Sequence, residues 1–222
     1  MKKSLYLLIL TLISLASCKN FEAGFSEKKF NNYWVVESES PDYKIRFDDG
    51  ACEITAPKGL TLWRKEMMKG NIVIEYDAIV YDEGEGDRLS DLNCFWMASD
   101  PEKESVFERL ETRNGVFANC AQMKLYYVGY GGNYNSTTRF RRYNGEPGPA
   151  IIQEYKDPDH LLKPNHWYHI KLVCKDGNVQ YWIDGELLFD YIDEDPYTEG
   201  WFGFRTTLSR TGIKNFKYRN TR

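Results

Sequence analysis

Apolar and polar residues alternate along most of this chain with the period of two that marks a strand with one buried face. The pattern is plainest at residues 71–81 (NIVIEYDAIVY), where Ile72, Ile74, Tyr76, Ala78 and Val80 fall on one side and Glu75 and Asp77 on the other. Similar runs occur at 33–39, 44–47, 51–54, 60–66, 92–98, 167–175, 179–183, 187–191, 200–206 and 212–218. Turn signals such as Asp48-Asp49-Gly50, Asp176-Gly177-Asn178 and Asp184-Gly185 part them. Strands at short, regular spacing with almost no helical period predict an all-β antiparallel sandwich. Two stretches break the pattern. Residues 101–119 are strand-poor, with 102–110 reading as a short helix or lid, and 151–164 read as a loop that carries His160 and covers a rim.

The densest polar chemistry lies at residues 122–143 (QMKLYYVGYGGNYNSTTRFRRY), two strands joined by a turn rich in glycine and asparagine. Alternation places Gln122, Lys124, Tyr126 and Tyr130 on one face and Met123, Leu125 and Tyr127 on the apolar one. In the return strand Arg139, Arg141 and Tyr143 share a face opposite Thr138, Phe140 and Arg142. The expected outcome is one surface carrying amide, ammonium, phenol and guanidinium groups, suited to a polar, anionic ligand. Residues 200–206 add to it, with Trp201 and Arg205 on one side and Phe202 and Phe204 on the core side.

The N-terminus reads as a targeting segment. Lys2 and Lys3 precede an apolar run from Leu5 to Leu15 that is short for a bilayer span, and Leu15-Ala16-Ser17-Cys18 matches the lipobox of bacterial lipoproteins. Residues 1–17 are then a signal peptide, Cys18 carries the lipid, 18–30 form a polar tether and 31–222 a single domain. The expected location is the cell envelope, anchored to a bacterial membrane on its periplasmic or surface face. Charge shapes the partner class. The chain has 29 basic and 33 acidic residues, and loss of Lys2 and Lys3 with the leader makes the balance more acidic still. That excludes a general nucleic-acid binder, which must neutralise phosphates. An anion site must be a local cluster. Aromatic residues make up 15% of the chain, including 16 tyrosines and 6 tryptophans, a content that suits stacking on sugar faces as well as a plain β core. Apart from Cys18, the four cysteines allow two disulfides in an oxidising compartment, while Cys94 and Cys174 sit in apolar strand patterns that favour buried thiols. They lack the spacing of a zinc site, so no metal is assigned.

The run NHWYHIKLVCKDGNVQYWIDGELLFDY, followed by GWFGFRTTLSRTGIKNFKY, resembles the closing strands of concanavalin-A-like jelly rolls. It is most similar to those of 3-keto-disaccharide hydrolase-like and laminin-G-like domains. The matching elements are Trp167, Asp184-Gly185, residues 200–205 and Ile213-Lys214-Asn215-Phe216, while the middle of the chain resembles bacterial surface lipoproteins of unassigned function. The resemblance implies a jelly roll with its ligand on the concave sheet. It leaves activity open, because that superfamily holds lectins, hydrolases, lyases and inert modules.

Two functions fit these residues. One is an enzyme cleaving an acidic or oxidised polysaccharide or oligosaccharide, in which Arg139 and Arg141 neutralise a carboxylate and Tyr126 moves the proton. Gln122, Lys124, Tyr130, Asn133, Tyr143, Trp201 and Arg205 would then bind the ligand. The other is a non-catalytic glycan-binding surface module using the same groove. The motif of alginate-type lyases is not reproduced, and Glu75-Tyr76-Asp77 lacks the third acid of a laminarinase-type signature. No cofactor is required. The acidic loop at 82–91 could offer oxygen ligands to calcium, though its spacing is not that of an EF-hand and a solvated loop is the better reading. The anchoring expectation has a direct check. Replacing Cys18 by Ser should move the protein from membrane to soluble fractions, and a native chain that is already soluble would refute acylation.

Overall fold

The structure is a computed structural model that describes residues 20–23 and 25–221; the leader and Cys18 lie outside the described residues. Fourteen strands follow one another among the described residues: β1 (Asn20–Ala23), β2 (Trp34–Ser38), β3 (Lys44–Asp48), β4 (Ala51–Arg64), β5 (Met68–Lys69), β6 (Ile72–Val80), β7 (Leu92–Ser99), β8 (Lys124–Gly131), β9 (Thr137–Asn144), β10 (Ala150–Tyr155), β11 (Tyr168–Lys175), β12 (Asn178–Ile183), β13 (Glu186–Ile192) and β14 (Glu199–Asn220). Every pairing is antiparallel, in the order β10-β9-β8-β7-β14-β6-β11-β12-β13, with β4 along the other edge of β14 and β2 and β3 beyond it.

Strand β14 is the hinge of this arrangement. Its first half pairs with β7 and its second half with β6, so one strand serves both layers. The change of direction falls at a bulge where Thr207 pairs with Gly59 but Ser209 with Ala56, and Leu208 takes φ 51°. Facing it on β4 is Pro57, which has no N–H to give a ladder and suits a bulge. The sequence pattern breaks at these two places and reads as four short strands; the structure joins them into two long, bent ones.

The interior between the layers is aromatic. Tyr76, Trp96, Tyr126, Phe140, Phe189, Phe202, Phe204 and Phe216 are all buried there. A second apolar cluster covers the opposite face of the β7–β8–β9 layer: Trp63, Phe95, Val106, Leu125, Tyr127, Tyr143 and Trp201. Its roof is the segment between β7 and β8, which folds into short helical turns at Val106–Arg109, Leu110–Arg113 and Phe117–Gln122. Ser105 starts the roof with a capping box to Glu108.

Within the tether expected at 18–30, the described residues fold onto the domain. β1 pairs with the end of β14, α1 (Glu27–Tyr33) follows, and Phe25 and Phe30 are buried against Trp34 and Phe47. Two aromatic rings in a polar stretch are the reason it docks.

Cys52, Cys94, Cys120 and Cys174 are all buried free thiols. Burial pushes Cys52, Cys94 and Cys174 up from the ordinary 9.0 to about 12. A group whose pKa is raised in the folded state stabilises it fully below the unfolded value, and that contribution drains as pH climbs. The urea midpoint should therefore fall steadily between pH 9 and 12, and a flat profile over that range would show that these thiols are solvated.

Candidate functional site

The β8–β9 hairpin decides which side chains meet. Tyr127 pairs with Arg141, Leu125 with Tyr143 and Gly129 with Arg139, and directly paired residues share a face. The two arginines therefore stand beside Tyr127. Tyr126, Val128 and Tyr130 point the other way, into the interior. This corrects the expectation that Tyr126 and Tyr130 share a surface with the arginines. Alternation separated the two faces of β8 properly, but both are buried, so it could not say which faces the interior.

Tyr126 is fully buried and donates a hydrogen bond to Asp193 Oδ2 at 2.6 Å, where Arg142 Nε also donates at 2.7 Å. Its phenol is pushed well up, first by burial and then by Asp193. It ties the sandwich rim together and has no access to a ligand groove. Tyr130 donates to the Leu161 carbonyl at 3.1 Å. Tyr143 is buried in the cluster under the roof.

Arg139, Arg141 and Asn133 do come together. With Asp91, Phe117, Tyr127, Gly129 and Thr137 they line a recess of ≈ 150 Å³ on the outer face of the hairpin. Gly129 makes its floor: a Cβ there would lie 2.4 Å from the Tyr127 hydroxyl, which leans across to donate to Asn93 Oδ1 at 3.1 Å. Two charges of the recess are already matched. Arg139 pairs with Glu154, which Lys156 also holds at 2.7 Å, and Asp91 lies 3.7 Å from Arg88. Arg141 differs. Its Nε is buried with no hydrogen-bond partner, while its guanidinium bonds the Tyr143 side chain and pulls electrostatically on Tyr127. The Tyr127 phenol is raised by burial first and by Asp91 next, and the opposing pull of Arg141 and Arg205 does not offset them. Desolvation thus keeps the Tyr127 phenol protonated in spite of the neighbouring guanidiniums.

The remaining expected residues lie elsewhere. Lys124 is exposed at the start of β8. Gln122 faces a separate cavity of ≈ 290 Å³ beside Asp100, Arg109 and Arg113. Trp201 packs edge-on against Phe107 beneath the roof and donates to the Lys65 carbonyl at 3.3 Å. Arg205 faces the same side as Trp201 but is covered: it donates to Thr61 Oγ1 and the Gly115 carbonyl, both at 3.0 Å, and lies under the Phe117 ring. In the acidic loop Glu83 and Asp87 turn to Arg210, at 2.8 and 2.9 Å. Among the described residues no group of three or more His, Cys, Asp and Glu side chains is placed to hold a metal ion. Tyr127, Asp91 and Phe117 were missed by sequence reasoning. Centring the turn on Asn133-Tyr134-Asn135 would have set Tyr127 opposite Arg141.

A model of one family matches residues 54–216, nearly three-quarters of the chain. The chain belongs to the family described as a domain of unknown function (DUF6250). No curated protein matches it. Among solved structures it is similar to a protein of unknown function with a galectin-like fold from Bacillus subtilis, with TM-score 0.72 and 16% identity over 91% of this chain and 100% of that one. It is also similar to the carbohydrate-binding module CBM66 from Bacillus subtilis, with TM-score 0.56 and 14% identity over 83% and 94%. A Bacillus licheniformis beta-glucanase gives TM-score 0.57 and 11% identity over 91% and 98%. These likenesses show the fold, and it is the antiparallel, concanavalin-like jelly roll that the strand pattern and the closing motifs imply.

One buried ion pair fixes the roof over the second apolar cluster of this chain. Glu37 accepts from Trp63 Nε1 at 2.9 Å, from Arg113 Nε and Nη2 at 3.2 and 2.7 Å, and from the Gly115 N–H at 3.1 Å. Arg113→Ala strands that carboxylate away from water and should cost about 3–5 kcal/mol of unfolding free energy. Arg139→Ala, at a half-buried pair, should cost about 1 kcal/mol or less. Equal losses in urea titrations would show that the roof is not held through Glu37.

Proposed function

We propose that this protein is a glycan-binding module that takes an acidic sugar by its carboxylate at Arg141. The observation that carries this reading is the unpartnered, buried Nε of Arg141 beside an open recess whose other cation is already matched. A guanidinium offers paired donors in a plane, the shape of a carboxylate, and the pair is worth more where water is excluded. The recess is small enough to take the charged edge of a sugar ring rather than the whole ring. Asn133 and Thr137 stand at its border to meet hydroxyls, and Phe117 gives it an apolar wall. Structural neighbours that include a carbohydrate-binding module and a beta-glucanase support a carbohydrate ligand. On the lipoprotein reading, Cys18 would hold the module on a membrane face, presenting the recess to polysaccharide outside.

Binding is favoured over cleavage by the state of the phenols. A lyase needs a group that accepts a proton near neutral pH, and burial holds Tyr127 and Tyr143 protonated. Calorimetric titration with glucuronate, galacturonate and their short oligomers, against neutral gluco-oligosaccharides, tests the reading. The native protein should bind the uronates and not the neutral sugars. Arg141→Gln should weaken uronate binding about 10- to 100-fold, the value of a charge-assisted contact. Equal affinity for neutral sugars would overturn the proposal, and unsaturated products absorbing in the ultraviolet would replace the binder with an enzyme.

A further inference from the structure

The turn between β8 and β9 has a backbone that its sequence does not favour. Asn133 (φ 54°, ψ 58°), Tyr134 (φ 57°, ψ 47°) and Asn135 (φ 54°) are three successive left-handed residues. Asparagine visits that region readily, but a bulky residue such as tyrosine pays for it. The turn is clamped from both sides. Asn135 exchanges hydrogen bonds with Leu162, at 2.9 Å to its carbonyl and 2.8 Å from its N–H, and Ser136 Oγ donates to the Asn133 carbonyl at 2.6 Å. The consequence is that Tyr134 stands out from the surface at 74% exposure, the most exposed of the large apolar side chains among the described residues. Asparagine or glycine would sit there with less strain, so the backbone of the turn gives no reason for a tyrosine.

The ring is nevertheless held. The Arg88 guanidinium lies 5.0 Å from its centroid. Arg88 is itself fixed, donating to the Thr207 carbonyl at 2.7 Å and the Leu208 carbonyl at 3.2 Å, and it reaches Asp91, a wall of the recess, at 3.7 Å. On the other flank, the neighbouring Asn133 borders the same recess. An aromatic ring is thus backed by a cation on one face, open on the other and tied to the recess through Arg88–Asp91 and Asn133. A pre-oriented ring loses little freedom when a ligand covers it.

We infer that Tyr134 is a stacking platform for a second sugar unit, adjacent to the acidic unit at Arg141. The inference rests on the recess reading above and narrows the ligand class: an oligosaccharide in which a uronic acid neighbours a pyranose ring with an unbroken C–H face. Tyrosine covers such a face while its hydroxyl stays in water.

The test uses Tyr134→Asn, which the left-handed backbone accommodates, with Tyr134→Phe and Arg141→Gln beside it. Calorimetry with monomeric galacturonate and glucuronate, and with their short oligomers, gives a monomer affinity and an oligomer affinity for each protein. The native chain should bind the oligomer more tightly. Tyr134→Asn should weaken oligomer binding about 5- to 10-fold, leave the monomer unchanged and keep the urea midpoint. Tyr134→Phe should behave as native, and Arg141→Gln should weaken both ligands. Unchanged oligomer affinity in Tyr134→Asn, with binding still lost in Arg141→Gln, would overturn the platform and leave the recess standing. Equal weakening of monomer and oligomer would also overturn it, by showing that Tyr134 only shapes the recess. A native chain that binds no uronide would remove the recess and the platform together.

Discussion

The structure depends on how the carboxylate of Glu37 is satisfied. A charge buried this deeply must be met by donors on all sides, and here they come from two parts of the chain distant from Glu37 in sequence: Trp63 on β4, and Arg113 and Gly115 in the roof segment. Joining β2 and β4 to the segment between β7 and β8 closes one face of the sheet. Everything under that segment, including Trp201 and Arg205, becomes core. What stays open is the far end of the hairpin face, where the recess at Arg141 lies beside Phe117, the first residue of the roof's last turn.

A jelly roll ordinarily has one apolar layer, between its sheets. This one has two, and that accounts for the mismatch between residues that look like ligand contacts and residues that are accessible. Arg205 has the chemistry of an anion contact and faces the right side, yet its donors are spent on Thr61 and Gly115. Tyr126 has the chemistry of a proton shuttle, yet its hydroxyl belongs to a buried network with Asp193 and Arg142. Burial also settles the acid–base question. Guanidiniums near a phenol favour its ionised form, but the loss of water around Tyr127 outweighs them.

Much of this was legible in the residues. Period-two runs and Asp-Gly turns predicted the sandwich, the closing motifs predicted the jelly roll, and the 122–143 stretch contains the hairpin on which Arg139, Arg141 and Asn133 meet. Three things were not legible, each for a physical reason. β8 is apolar on both faces, so alternation gave two faces without an inside. β4 and β14 bend at Pro57 and Leu208, where the alternation breaks, and so each reads as two strands. The helical roof has a weak local signal, because what fixes it is a contact with Glu37, 76 residues from Arg113 in sequence.

Strand β14 carries a consequence for how the molecule comes apart. Its 22 residues lend hydrogen bonds to β7, β4 and β6, and its own side chains, Phe202, Phe204 and Phe216, fill the interior between them. Neither layer can be peeled from the other while that strand stays whole, and losing it removes the partner of both. The two sheets are therefore one cooperative unit, in which local opening is confined to strands at the margins and full exchange of the central amides demands global unfolding.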